Sequence, residues 1–262
     1  MRYRRLATTV LLAFLTGCVG SQFNVATRRQ EYTFTSTDKE VEMGRTLSRH
    51  VLEELPIVAD EPLQARVRSI GERLAAVCDR QELVYTFTVV QEDGVNAFSL
   101  PGGYVFLEDG LIKKTANDDE LSGVIAHEIA HIAARHAIKR YEGALGVQLA
   151  QLAVLASRQG GAGSGMGIAM QAVQLAYARQ DELEADQLGV KYMKAAGFDP
   201  KAMLTFLEKL HDLDGGKLRY LPRGVVRPHY ALTHPYVPER LRAVKEALFG
   251  VADYLDYLNT PN

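Results

Sequence analysis

The sequence carries no excess of basic charge: 30 Lys and Arg against 32 Asp and Glu give a formal net charge of −2. A nucleic-acid partner is therefore not expected, because such surfaces depend on clustered positive charge. Cysteine is nearly absent. Only Cys18 and Cys78 occur, and a modified Cys18 would leave Cys78 without an intramolecular partner, even in an oxidising compartment. Long hydrophobic runs are missing too. No segment approaches the roughly 18 uninterrupted apolar residues of a membrane-spanning helix. No internal repeat or clear domain boundary is visible. The 262 residues, 47% hydrophobic and 24% charged, have the balance of ordinary globular material.

What is present begins at the N-terminus. "MRYRR" is a positive segment, "LATTVLLAFL" a short apolar one, and "LTGC" follows at 15–18. The order suits a secretory signal. "LTGC" resembles the lipobox of bacterial lipoproteins. That resemblance implies a signal peptide over 1–17, lipidation of Cys18, and a mature chain tethered to a membrane on the periplasmic side. Val19, where Asp often marks inner-membrane retention, points to the outer membrane. Residues 18–36 are polar and without periodicity, and are expected to be a tether. The catalytic domain is expected over 37–262. Cys78, in the amphipathic run "GERLAAVCDR", is expected to be a buried small hydrophobe.

Helical periodicity predicts helices over 38–54 and 61–78. "LVYTFTVVQ" (83–91) is β-branched and aromatic, hence a strand, and 95–112 reads as strand, Pro-Gly-Gly turn and strand. The next helix starts near Asn117, a good N-cap with Glu120 three residues on. Residues 141–178 are rich in Ala, Leu and Gln but split by "GGAGSGMG" at 160–167, which cannot be regular helix. Core helices joined by a flexible loop, or a flap or contact surface beside a cleft, would both account for it. Further helices are expected over 171–195 and 200–211, a loop over 214–233, and a last helix after "HPYVPERL".

The chemistry concentrates in "GVIAHEIAHIAARH", 123–136. At 100° per residue His131 falls about 40° from His127, one turn along the same face, with Glu128 about 60° from His131. Two imidazoles can share a zinc there while the carboxylate reaches its water. His136 falls about 180° round the helix from His127 and cannot join the same metal from this helix, so it is read as a residue supporting the site or lying at the surface. The longer pattern HExxHxxGxxH is absent, because 134 and 137 are alanine. A catalytic zinc wants three protein ligands and an open position, so the third must come from elsewhere.

"RQDELEADQLG" (179–189) offers Asp181, Glu182, Glu184 and Asp186. Glu182 and Asp186 share a helical face with Leu175, Ala178, Ala185, Gly189 and Met193. Glu184 falls about 200° away, with Gln180, Gln187 and Lys191, and is expected to be solvated. Carboxylates on an apolar face are costly unless paired or bound to a cation. Zinc accounts for them: Glu182 as ligand, Asp186 accepting from the free ring nitrogen of a ligand histidine. An ordinary ion-paired couple in a core helix is the alternative.

With HEIAH at 127–131 and ELEAD at 182–186, the chain resembles the zinc metallopeptidases grouped with HtpX, the CAAX prenyl protease and the mitochondrial Oma-type protease. "NAFSLPGGYVFLEDGL" (96–111), "AGFDPKAM" (196–203) and "THPYVPERL" (233–241) carry the same resemblance. The similarity is to the branch without extra membrane spans. It implies an α+β, mostly helical gluzincin fold with a small sheet over a cleft holding one zinc per chain. It further implies an edge strand at Asn96, Ala97, Phe98, Gly102 and Gly103 that pairs with extended substrate, as unpaired backbone groups permit. His234 and Arg240 would come close to the metal, His234 to hold the oxyanion or to fill the open position at rest.

The expected function is a zinc endopeptidase of the bacterial envelope, with Glu128 as general base. The expected substrates are unfolded or misassembled envelope proteins. The rival reading is a zinc-containing, chaperone-like binding lipoprotein with little or tightly autoinhibited proteolysis. Zinc chemistry on a non-peptide amide is a third, disfavoured by the edge-strand segment.

Overall fold

The computed structural model describes residues 20–155, 177–213, 233–235 and 237–250. In chain order the elements are β1 (Gly20–Asn24), β2 (Arg29–Thr33), α1 (Thr37–Glu54), α2 (Glu61–Ala75), β3 (Thr86–Val90), β4 (Ala97–Leu100), β5 (Tyr104–Glu108), a single turn α3 (Asp109–Ile112), α4 (Asp118–Ala133), α5 (His136–Leu155), α6 (Arg179–Ala196), α7 (Lys201–Leu213) and α8 (Val237–Phe249). The fold is α+β and dominated by helix, as the sequence pattern predicts.

HEIAH lies on α4, the most enclosed helix. Every residue from Glu120 to Ala133 is buried. Its small residues let α2, α6, α7 and β4 approach from several sides. Ile125 and Ile129 are fully enclosed, and truncating either to Ala would cost roughly 2–5 kcal/mol. Asn117 caps the helix as expected, its side chain accepting from Glu120 N–H at 2.9 Å.

Strands β3, β5 and β4 form one sheet in that order, β3 parallel and β4 antiparallel to β5. The outer side of β3 is covered: Val58 N–H donates to Val89 O at 3.0 Å, and Gln64 exchanges two hydrogen bonds with the Val89 backbone. β4 is the other edge. Glu108 N–H donates to Asn96 O, so alternation in the antiparallel ladder turns the backbone groups of Ala97 and Ser99 outward. Among the described residues no strand pairs with that side. The Pro-Gly-Gly turn joins β4 to β5 with Gly102 at φ 78° and Gly103 at φ 106°.

Two expectations are corrected. Residues 20–33, expected as tether, form an antiparallel hairpin. Asn24 Oδ1 closes its turn by accepting from Ala26 and Thr27 N–H, and Glu142 receives Thr33 Oγ1–H and the N–H groups of Phe34 and Thr35. Side-chain-to-backbone bonds of this kind leave no apolar periodicity to read. The helix expected over 171–195 instead begins at Arg179. Ala178 is extended (φ −67°, ψ 151°), and its N–H is held by Asp181. Residues 1–19, the glycine cluster 160–167 and most of the 214–233 loop lie outside the described residues. No described helix is long and apolar enough to cross a membrane. Cys78 is buried, as expected, and burial raises its thiol pKa.

Candidate metal centre

Four buried side chains from three parts of the chain converge. His127 and His131 lie one turn apart on α4, their rings edge to face and their Nε2 atoms 3.0 Å apart. Glu182 arrives from α6, whose Gly189 lets the two helices close up: a Cβ there would lie 2.7 Å from Met203 Cε and 3.4 Å from the His127 nitrogen. Glu182 Oε1 is 3.4 Å from His131 Nε2, and Oε2 is 3.5 Å from His127 Nε2. His234 Nδ1 lies 3.3 Å from His127 Nε2 and 3.2 Å from Glu182 Oε1. Zinc bound tetrahedrally at 2.0–2.1 Å has ligand atoms about 3.3 Å apart. The measured edges scatter around that value, and two or three imidazoles with a carboxylate are a zinc donor set. The residues fit the metal.

Each of the two histidines of α4 is held from behind. His127 Nδ1 lies 2.8 Å from Asp186 Oδ1. Arg240 clamps the same carboxylate through Nε and Nη2, each at 2.8 Å, and sets Nη1 3.1 Å from Glu182 Oε2. His131 Nδ1 lies 2.8 Å from His136 Nδ1, and His136 Nε2 lies 3.2 Å from Glu184 Oε2. Tyr177 stacks on His131 with ring centres 3.7 Å apart, under the guanidinium of Arg140.

Glu128 is fully buried beside the cluster. Ser99 of β4 donates to its Oε2 at 2.9 Å, and Oε1 faces His234 Nε2 at 3.4 Å. The edge strand and the acid are thus joined through one hydroxyl.

Residues 61–248 match peptidase family M48. The chain belongs to that family. M48 peptidases are zinc metalloproteases, and the cluster just described could hold the metal in this M48 chain. It is 33% identical over 216 residues to the beta-barrel assembly-enhancing protease of Yersinia pestis, covering 79% of this chain and 43% of that protein. The Escherichia coli K12 protein of the same name gives 33% over 219 residues with the same coverages. The mitochondrial metalloendopeptidase OMA1 of Schizosaccharomyces pombe is 28% identical over 223 residues, covering 84% of this chain and 64% of that protein. This M48 chain therefore spans less than half the length of its bacterial relatives.

The electrostatics separate the residues that could hold the metal. Burial and Arg240 oppose protonation of His127, yet Asp186 and Glu182 outweigh them and raise its pKa to about 9. Burial holds His131 well below the usual histidine value, Glu182 only partly opposing it. Against burial, His234 and Arg240 hold Glu182 well below the carboxylate range, and Arg240 and His127 lower the Asp186 pKa. Burial pushes the Tyr177 phenol up.

All the residues expected at the metal do meet there: His127, Glu128, His131, Glu182, Asp186, His234 and Arg240. The edge-strand set divides. Ala97 presents backbone at the open edge, and Phe98 stacks on Phe106. Asn96 is buried between Glu108 and Thr233. Gly102 and Gly103 do not line the metal site. They pack against Val41 of α1 and against Val84, where only glycine fits the turn. Glu184, expected to be solvated, is instead largely enclosed against His136, which holds its pKa down. Sequence reasoning missed Ser99 and Tyr177. Ser99 could have been found from its place on the inward face of an edge strand, while Tyr177 left no local signal.

Proposed function

We propose that the chain is a zinc-dependent endopeptidase of the bacterial envelope that cleaves unfolded or misassembled polypeptides. The observation that carries this reading is the convergence of His127, His131, Glu182 and His234, with one ligand atom of each within 4.8 Å of the others, and a buried carboxylate, Glu128, beside them. His127, His131 and Glu182 would hold the ion. Zinc would supply Lewis-acid polarisation of the scissile carbonyl and a more acidic water. Glu128 takes the water proton and passes it to the leaving amine. Ser99 fixes one Glu128 oxygen and leaves the other to work. Asp186, itself held by Arg240, keeps the proton of His127 on Nδ1 and its Nε2 free as a donor to metal. The outward backbone of Ala97 and Ser99 offers an extended peptide a strand to pair with, which suits unfolded clients and needs little side-chain specificity. The names of the bacterial relatives and the "LTGC" segment support the envelope location, with lipid on Cys18 and anchoring at the outer membrane.

A resting, self-blocked enzyme is the second reading, and one observation favours it. His234 Nδ1 sits at a corner of the tetrahedron, between His127 and Glu182, where water and substrate would have to enter. Activity then requires His234 to leave that corner, after which its imidazole can hold the oxyanion.

The test is cleavage of an unfolded protein by the mature chain and by Glu128→Gln, with bound zinc measured in both. Loss of about 10²–10⁴-fold in rate with zinc retained is expected. Equal inactivity of wild type, Glu128→Gln and His234→Ala, all zinc-loaded, would contradict the reading.

A further inference from the structure

We propose that the outer face of the N-terminal hairpin is a membrane-surface contact, seated in the headgroup layer of the bilayer that anchors Cys18. This rests on the lipoprotein reading given above. It starts from where exposed apolar side chains lie. Phe23 (55% exposed), Val25 (57%), Tyr32 (74%) and Phe34 (41%) fall within twelve residues, whereas Leu52, Ile57, Val84 and Phe249 are scattered along the chain. The register puts Ser21 opposite Tyr32 and Phe23 opposite Gln30. Strand alternation then sets Phe23 and Tyr32 on one face and Gln22, Asn24 and Glu31 on the other. The second face is committed to the body: Gln22 to Arg135, Asn24 to the Ala133 carbonyl, Glu31 to Lys139. The aromatic face points away from it.

Chain length decides what covers that face. β1 begins at Gly20, two residues beyond Cys18, and two residues reach at most about 7 Å. The polar layer of one leaflet is roughly 5–8 Å thick. A lipid on Cys18 therefore holds the open end of the hairpin, where Tyr32 pairs with Ser21, at the depth of the headgroups. Tyrosine and phenylalanine are suited to that depth, an apolar ring below and, for tyrosine, a polar tip above. Exposed Arg28 at the turn suits anionic headgroups. Because the inner face bonds to the corner after α4, a seated hairpin would fix the catalytic body to the surface.

The chain contains no tryptophan, so one can be introduced as the sole indole. Full-length Tyr32→Trp and, as a reference on another exposed site, Val84→Trp (Val84 is 82% exposed) are expressed, processed and reconstituted into vesicles of phosphatidylethanolamine and phosphatidylglycerol. Some carry acyl chains brominated near the headgroup. The expected result is blue-shifted emission at position 32 and quenching by brominated lipid about twofold or more above that at position 84. Solvent-like emission at 32 on vesicle-bound protein, with mass spectrometry showing the lipid on Cys18, overturns the hairpin contact and leaves the anchor standing. A blue shift without lipid quenching also overturns it, by showing that protein covers the face. An unmodified Cys18 overturns it by removing the tether. Retained cleavage by Tyr32→Trp keeps each failure separate from the peptidase reading.

Discussion

The two histidines of HEIAH are supported in different ways. His127 leans on a carboxylate that a guanidinium clamps, Asp186 and Arg240. His131 leans on another histidine, His136, which leans on the partly exposed Glu184, and its ring is covered by Tyr177. A carboxylate raises the basicity of the imidazole it holds, while a second imidazole mainly orients it. The opposite pKa directions follow: up for His127, where acids outweigh burial, and down for His131, where burial wins. One histidine is held by charge and the other by packing.

That contrast can be broken from either side. The largest effect is expected from Asp186→Ala, which strips the charged support and leaves Arg240 buried without its carboxylate. Zinc affinity, measured by competition with a chromophoric chelator, should fall by about 10–100-fold. A fall of less than about twofold would mean that Asp186 only pairs Arg240. His136→Phe should cost less, on the order of tenfold, because Tyr177 still holds the His131 ring. An effect as large as that of Asp186→Ala would erase the distinction between the two supports. The smallest effect is on pH dependence. With a His127 pKa of about 9, its proton competes with zinc throughout the neutral range. Affinity should therefore climb with pH up to about 9 in wild type. In Asp186→Ala, which lacks the acid that raises that pKa, the climb should end at lower pH. Identical profiles for the two proteins would count against Asp186 as the source of the shift.

The same division explains what could be read from the sequence. Glu182 and Asp186 were legible because both sit inside one regular helix on an apolar face, and helical phase holds there. His136 takes the supporting place that was one of its two readings, but its helical phase, and with it the setting of Glu184, was misread because α4 stops. Arg135 adopts φ 57°, held there through Glu40 at 3.0 Å and the Thr35 carbonyl at 2.6 Å, and the chain turns back so that His136 faces His131. Phase computed across that break has no meaning. Tyr177 is brought in by an extended residue before α6, and the hairpin is held by side-chain bonds over a hundred residues away in sequence. Neither leaves a periodic trace. His234 and Arg240 were legible only through family resemblance, since nothing local marks them as partners of α4.

The most direct measurement is zinc binding to Glu182→Ala beside wild type and Glu128→Gln. One tightly bound zinc per chain in wild type and in Glu128→Gln, with loss of stoichiometric binding in Glu182→Ala while the fold persists by circular dichroism, is the expected result. Zinc held by Glu182→Ala at wild-type affinity would contradict the centre built from "HEIAH" and "ELEAD".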